Sequence, residues 1–271
     1  MKRQHLKLFL GFFILLIFLC LAVFASQISS QNPNEIHLEN RYQAPSFSHL
    51  LGLDENGSDV FTKVAYGARV SLGVALSVVF ISLMIGLIVG SLSGFYGGWT
   101  DHLAMRTIEI VQAFPNILLA LAFISLSGPS LKNLILAMSL TGWAGFARLV
   151  RAEFLYLKQK EFIQSCTAIG ASPLRKIVLH IWPTIWGTLF LNATFAMAGT
   201  IVAESGLSFL GLGVPLNTPS WGALLNAGRK ILDEAPHVSL AAGGAIFFLV
   251  LSFYLIADGL RDQLDPRQTF S

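Results

Sequence analysis

Charge is scarce in this chain, and the residue patterns that usually carry chemistry are missing. Only 12% of its 271 residues are Asp, Glu, Lys or Arg, and 54% are hydrophobic, whereas soluble domains carry about 25% charged residues. So little charge cannot cover an ordinary water-facing surface, and the chain is read as an integral membrane protein. Cysteine is limited to Cys20, in an apolar run, and Cys166, in a polar stretch, which leaves no disulfide framework. No G-x-x-x-x-G-K-[ST] stretch occurs, so nothing in the sequence cradles a nucleotide phosphate, and no G-x-S-x-G elbow offers a nucleophile. His5, His37, His49, His102, His180 and His237 never pair at i, i+3 or i+4. No catalytic residue, metal site or cofactor is therefore expected, and no activity as an enzyme. The net charge of +3 is too small to indicate a nucleic-acid partner.

What the chain has in quantity is long apolar runs. Six are expected to span the membrane: Leu8–Ser26, Val70–Gly90, Met105–Leu126 (broken by Pro115), Leu131–Val150, Thr184–Ala203 and Ser239–Ile256. The basic segment Met1–Lys7 before the first run resembles the start of a signal peptide, but Leu8–Ala25 is long for one and reads as a retained helix. Gln27–Ala65 turns polar, with turn signals at Asn32-Pro33-Asn34, Pro45 and Asn56-Gly57. Its acids Asp54, Glu55 and Asp59 lack EF-hand spacing and are expected in a solvated loop.

Within the spans, Gly86, Gly90 and Gly94 recur every fourth residue, a face on which another helix can approach closely. A turn is expected over Gly94–Asp101. Arg106 and Glu109 form a local pair, and Arg148 and Arg151 read as an anchor whose side chains snorkel to the interface. Placing the N-terminus in the cytoplasm puts twelve of the eighteen Lys and Arg inside, as the positive-inside rule requires, with the C-terminus inside too. No internal repeat is visible and the charges lie near helix ends, so a stand-alone secondary carrier or channel is disfavoured.

The polar island Glu161–Pro183, EFIQSCTAIGASPLRKIVLHIWP, carries the most specific pattern. Glu161–Ile169 contains no helix breaker. Gly170 is expected to close that helix in the left-handed conformation, and Ser172-Pro173 to cap and restart another. Leu174, Ile177, Val178 and Ile181 then fall on one helical face. A DNA-binding helix–turn–helix would need a soluble basic domain, which is absent.

This island resembles the cytoplasmic coupling loop of ATP-binding-cassette importer permeases. That signature reads Glu-Ala-Ala, three residues, Gly, then Ile-x-Leu-Pro. Gly170 and Pro183 hold the required separation, and Ala168, Ile169, Ala171, Ser172, His180 and Ile181 match the dipeptide, oligopeptide and nickel branch. Gln164, Ser165 and Cys166 depart from Glu-Ala-Ala, and Trp182 replaces leucine. Three further blocks agree. Leu51–Val60 resembles the stretch that precedes the family's core. Glu204–Gly213 with Pro219-Ser220-Trp221-Gly222 resembles its Ala-Glu-x-x-Leu-Ser-Phe-Leu-Gly-Leu-Gly…Pro-Ser-Trp-Gly. Asp258–Arg267 resembles its C-terminal motif.

The resemblance implies an all-α protein of six transmembrane helices with the type I importer permease fold and a coupling helix between spans 4 and 5. It implies a permease subunit that imports short peptides, with nickel or a metal chelate as the alternative. The implied partners are a second homologous permease subunit in a heterodimer, two ABC ATPase subunits and an extracytoplasmic solute-binding protein, all at the plasma (inner) membrane bilayer. Residues 1–66 would form the N-terminal tail, first helix and extracytoplasmic segment. Residues 67–271 would form the five-helix core, with the coupling loop at 156–183. The ATPase-coupling residues implied are Glu161, Gln164, Ala168, Ile169, Gly170, Ala171, Ser172, Pro173, Leu174, Ile177 and Pro183. Glu204 lies roughly 28 Å of helix beyond Ile185 and is expected, still hydrated, at an outer gate, or else as a helix-end carboxylate holding the next loop.

Overall fold

A computed structural model describes residues 2–28, 32–215 and 217–264. Among them the secondary structure is helical, with one isolated bridge between Leu53 and Asp59. Ten α-helices follow in order: α1 Lys2–Ile28, α2 Val60–Tyr96, α3 Gly98–Gln112, α4 Asn116–Ser127, α5 Leu131–Leu157, α6 Glu161–Ala168, α7 Pro173–Arg175, α8 Trp182–Phe209, α9 Trp221–Lys230 and α10 Pro236–Leu264. Five helices are long and apolar enough to cross a membrane, and the bent pair α3–α4 makes a sixth if it counts as one span.

The helices outrun the apolar stretches that announce them. α2 starts where the Asp59 side chain accepts the Thr62 N–H at 2.7 Å, ten residues before the expected Val70. It ends at Gly97, so Gly94 is helical and the turn falls on Gly97-Gly98, at φ +69° and +57°. Thirty-seven residues measure about 55 Å, well beyond ~30 Å of hydrocarbon, so α2 projects out of the bilayer. Polar residues past the hydrocarbon edge stay helical because packing, not hydropathy, sets the boundary. The same holds for α5, which runs to Leu157, for α8, which runs to Phe209, and for α10.

The glycine stripe of α2 packs against α5. A Cβ at Gly86, Gly90 or Gly94 would lie within 2.4–2.5 Å of Phe146, Ala147 or Phe154 atoms respectively. Backbones therefore meet almost directly, and α2 makes its most extensive helix contact with α5. The third expected span is not one helix. Pro115, which has no N–H to donate, sits at the N-cap of α4, and α3 and α4 meet there at 79°. Arg106 and Glu109 pair at 2.8 Å on the exposed face of α3.

The segment before α2 is packed rather than loosely solvated. Asp54 is buried, accepts the N–H groups of Asn56 and Ser58 at 2.9 and 3.0 Å, and pairs with Lys63. A carboxylate with those partners closes a tight loop on itself. Trp221, at the start of α9, is fully buried and donates its indole N–H to Val64 O at 2.9 Å, in space left by Gly67. α1 lies along α10 and α2, with Gly11 against Ser252 and Ile256 and Lys7 paired with Asp258 and Asp262 at 2.6 and 3.2 Å. Asp265, Pro266 and Arg267 of the C-terminal motif lie outside the described residues.

Candidate functional site

The polar island forms a turn between two helices at one end of the bundle. Glu161 occupies the first turn of α6, where a carboxylate faces unpaired N–H groups favourably. Ile163 is buried and pins the helix to the core. Gln164, standing where the related signature has glutamate, donates back to Gln159 O at 3.2 Å. Beyond Ala168 the helix closes by two bonds of 3.0 Å each, from Ala171 N–H to Cys166 O and from Gly170 N–H to Thr167 O. That paired closure requires a left-handed residue, and Gly170 has φ +76°. Ser172 Oγ then accepts the Arg175 N–H at 3.3 Å, with Pro173 at the first helical position.

The exposed product is an apolar lip. Ile169 is 83% exposed and Leu174 70% exposed on either side of the turn. A cleft of about 400 Å³ lies beside them, lined by Cys166, Arg175 and His180 as well as the turn itself. Nothing stands within 4 Å of where a Cβ on Gly170 would sit, so only backbone strain opposes substitution there.

The expected apolar face of the second helix divides. Ile177 (6% exposed) and Ile181 (0%) enter the core, while Leu174 and Val178 stay outside. The cause is a π-helical stretch, Lys176–Ile181, in which the Trp182 N–H donates five residues back to Ile177 O. This widened turn precedes Pro183, whose ring would clash with a carbonyl four residues back in a regular helix. Pro183 therefore starts no new span. The helix is continuous from Pro173 to Phe209, so the fifth span starts at Pro173 rather than Thr184, while α6 remains a separate short helix between spans 4 and 5.

Three ties fix this end of the bundle and a fourth joins the arms of the turn, and sequence reasoning missed them all. Arg151 donates to Asp101 through two bonds of 2.5 and 2.6 Å, and Ser93 Oγ donates to the same carboxylate at 2.5 Å, joining α2, α3 and α5. Arg151 is thus a clamp rather than a lipid anchor, while Arg148 remains exposed. Lys158 donates to Phe95 O at 2.6 Å and so covers the C-terminal carbonyls of α2. Lys176 donates to Thr167 Oγ1 at 3.2 Å, linking both arms of the turn. Trp182 donates its indole N–H to Ser91 Oγ at 3.0 Å. The one available signal was Trp182 itself, an indole with a donor to satisfy where the related motif carries leucine.

Glu204 does not sit hydrated at a gate. It is fully buried near the far end of α8, where hydroxyls of Ser71, Ser208 and Ser205 donate to it at 2.9, 2.9 and 3.4 Å. The chain beyond it is held by contact. A Cβ on Gly213 would lie 1.9 Å from Ser208 Oγ, and one on Gly222 2.2 Å from Ser205 O. Neither expected reading describes it, because its bonds tie α8 to Ser71 of α2 and to its own last turns rather than to the loop that follows.

Residues 82–270 match the model of the binding-protein-dependent transport system inner membrane component family. The chain is 40% identical to the glutathione transport system permease protein GsiD of Escherichia coli O157:H7, over 98% of this chain and 88% of that one. It is 38% identical, with the same coverage, to the dipeptide transport system permease protein DppC of Alkalihalophilus pseudofirmus.

Proposed function

The chain belongs to the binding-protein-dependent transport system inner membrane component family, and we propose that it is the permease subunit of an ATP-driven importer of short peptides. A multi-pass inner-membrane permease of the type I importer fold is what the family and the helices give. The relatives named for glutathione and dipeptides support a peptide solute over nickel or a metal chelate.

The observation that carries the coupling role is the apolar lip at Gly170. Ile169 and Leu174 are large, exposed and apolar, on a turn whose shape is fixed by its own backbone bonds and by Ser172. Such a lip fits a groove on an ATPase subunit. The ATPase-coupling assignment is kept for Glu161, Gln164, Ala168, Ile169, Gly170, Ala171, Ser172, Pro173, Leu174 and Pro183. Ile177 supports the lip from the core. The turn and both termini face the cytoplasm, residues 67–271 form the permease core, and residues 156–183 form its coupling element.

A second, homologous permease chain completes the pathway as a heterodimer. Two ATPase subunits dock at the lip, and an extracytoplasmic binding protein delivers solute. Hydrolysis belongs to those partners, since this sequence carries no phosphate-cradling motif.

The test is reconstitution of the assembled complex in proteoliposomes with labelled alanyl-alanine. Uptake should require ATP, the ATPase subunits and the binding protein together. Uptake that proceeds without ATP would overturn the reading.

A further inference from the structure

Away from the turn, α2, α4, α5 and α8 surround a half-open cavity of about 290 Å³. Val78, the central residue of α2, lines it together with Gly142 and Phe146, two residues either side of the centre of α5, so it lies about midway along the bundle. The break in the third span opens at the same depth. Asn116 and Ile117, the first residues of α4, stand on the cavity wall, and residues 113–117 are all exposed. Pro115 gives α4 no side-chain cap, and the Leu119 N–H, bonded to Pro115 O at 3.1 Å, is the first that the helix itself satisfies. Backbone with free N–H groups at that depth cannot face hydrocarbon and is stable only against protein or a water-filled space. Break and cavity therefore form one wet recess inside the membrane.

The wall carries no charge, and one of its polar side chains has both hydrogen-bonding functions free and within reach. Thr141 and Thr200 donate to carbonyls of their own helices, Met138 O at 3.1 Å and Ala196 O at 2.7 Å. Ser82 is buried in the α2–α5 contact, where a Cβ on Gly142 would come within 2.5 Å of its hydroxyl. The Asn116 side chain is exposed and makes no hydrogen bond among the described residues. Its amide carries an N–H donor and a C=O acceptor side by side.

We propose that this recess is a solute subsite on the import path, in which the Asn116 amide pairs with the main chain of the peptide in transit, donating to a C=O and accepting from the N–H on the same edge. The inference rests on the peptide-import reading above. An extended residue presents that donor and acceptor together whatever its side chain, as neighbouring strands do in a sheet, so the contact recognises the class of solute and not its sequence. The aliphatic wall and the ring of Phe146 admit side chains without fixing them. Two neutral hydrogen bonds in a wet recess also hold the solute weakly enough to let it leave.

The test uses the full complex, with its partner permease, ATPase subunits and binding protein, in proteoliposomes. Asn116→Ala trims an exposed side chain, so assembly and melting temperature should match the wild type. Uptake of labelled alanyl-alanine and of labelled leucyl-leucine should fall by the same factor, about tenfold, while ATP hydrolysis stimulated by the loaded binding protein persists. Unchanged uptake overturns the subsite, and a fall for one peptide alone overturns main-chain recognition. Loss of the second permease from the purified complex would mean that the amide faces that chain, and overturns the subsite too. A second variant reads the recess directly. With Cys20 and Cys166 replaced by serine, Asn116→Cys should react with a water-soluble maleimide, and saturating alanyl-alanine should slow that reaction. No reaction would show a recess closed to water, and a reaction indifferent to the peptide would remove the solute as its occupant. If the wild-type complex imports neither peptide, the peptide reading falls and the subsite with it, whereas wild-type import alongside an unaffected Asn116→Ala removes the subsite alone.

Discussion

Two helix ends in this protein are closed by the same backbone device and set in opposite surroundings. α6 ends at Gly170 with Ala171 N–H bonded to Cys166 O, and α8 ends at Gly211 with Leu212 N–H bonded to Leu207 O. Both glycines are left-handed, at φ +76° and +79°. Around Gly170 the side chains are exposed, and the ties come from charged side chains: Arg151 to Asp101, Lys158 to the Phe95 carbonyl and Lys176 to the Thr167 hydroxyl. Just beyond Gly211, Gly213 and Gly222 are packed to contact, and Glu204 is sealed among hydroxyls. A turn held by its own backbone and a few charged side chains can present a surface to a partner. A turn held by contact packing can only stay shut.

Breaking the shut end should cost most. Gly222→Ala drives a methyl into the Ser205 carbonyl, and backbone cannot move aside as a side chain can. Thermal unfolding in detergent should show a loss of about 3 kcal/mol or failed assembly. A wild-type melting temperature would mean that the corner is not closed as described. Next comes Glu204. Glu204→Leu strands three serine donors at about 1–3 kcal/mol each before local rotation relieves some of them. Glu204→Gln keeps an acceptor and should assemble and transport normally, so lost uptake by a well-assembled Gln variant would show that the charge acts in transport.

The open end should respond differently. Gly170→Val adds roughly 1–2 kcal/mol of left-handed strain and meets no neighbour. Membrane insertion should be normal, while ATPase co-purification or uptake is lost, and the milder Gly170→Ala should lie between. Normal partner binding with normal uptake in the valine variant would remove the coupling assignment. The smallest effect belongs to Trp182→Leu, which restores the related motif's residue and forfeits one indole hydrogen bond to Ser91. About 1 kcal/mol of stability should be lost, with uptake retained.

The local features of this comparison were legible in the sequence. Gly170, Ser172 and Pro173 prescribe their own conformations through φ, a cap hydroxyl and a missing N–H, and these need no knowledge of the rest of the chain. The six apolar runs and the glycine stripe follow from the bilayer and from helix periodicity. What escaped depends on partners or on a helix winding that the local pattern does not announce. Glu204 could not be placed from helix length alone, since Ser71 comes from another helix. Asp54 looked solvated because its partners are mostly backbone amides. Ile177 shares a face with Leu174 only at a regular helical period, and the stretch is π-helical. Arg151 looked like an anchor because Asp101 lies fifty residues away.

The unbroken helix from Pro173 to Phe209 has a mechanical consequence. From Leu174 to Glu204 is about 45 Å along one rod, with the cavity wall of Ala196, Gly199 and Thr200 on the way. A torque applied at the exposed lip has no loop in which to dissipate and no interface along which to slip. The compliant section is the six-residue π stretch, whose wider winding can be taken up or released without separating strands of structure. The rod is thus geared at one end and bolted at the other.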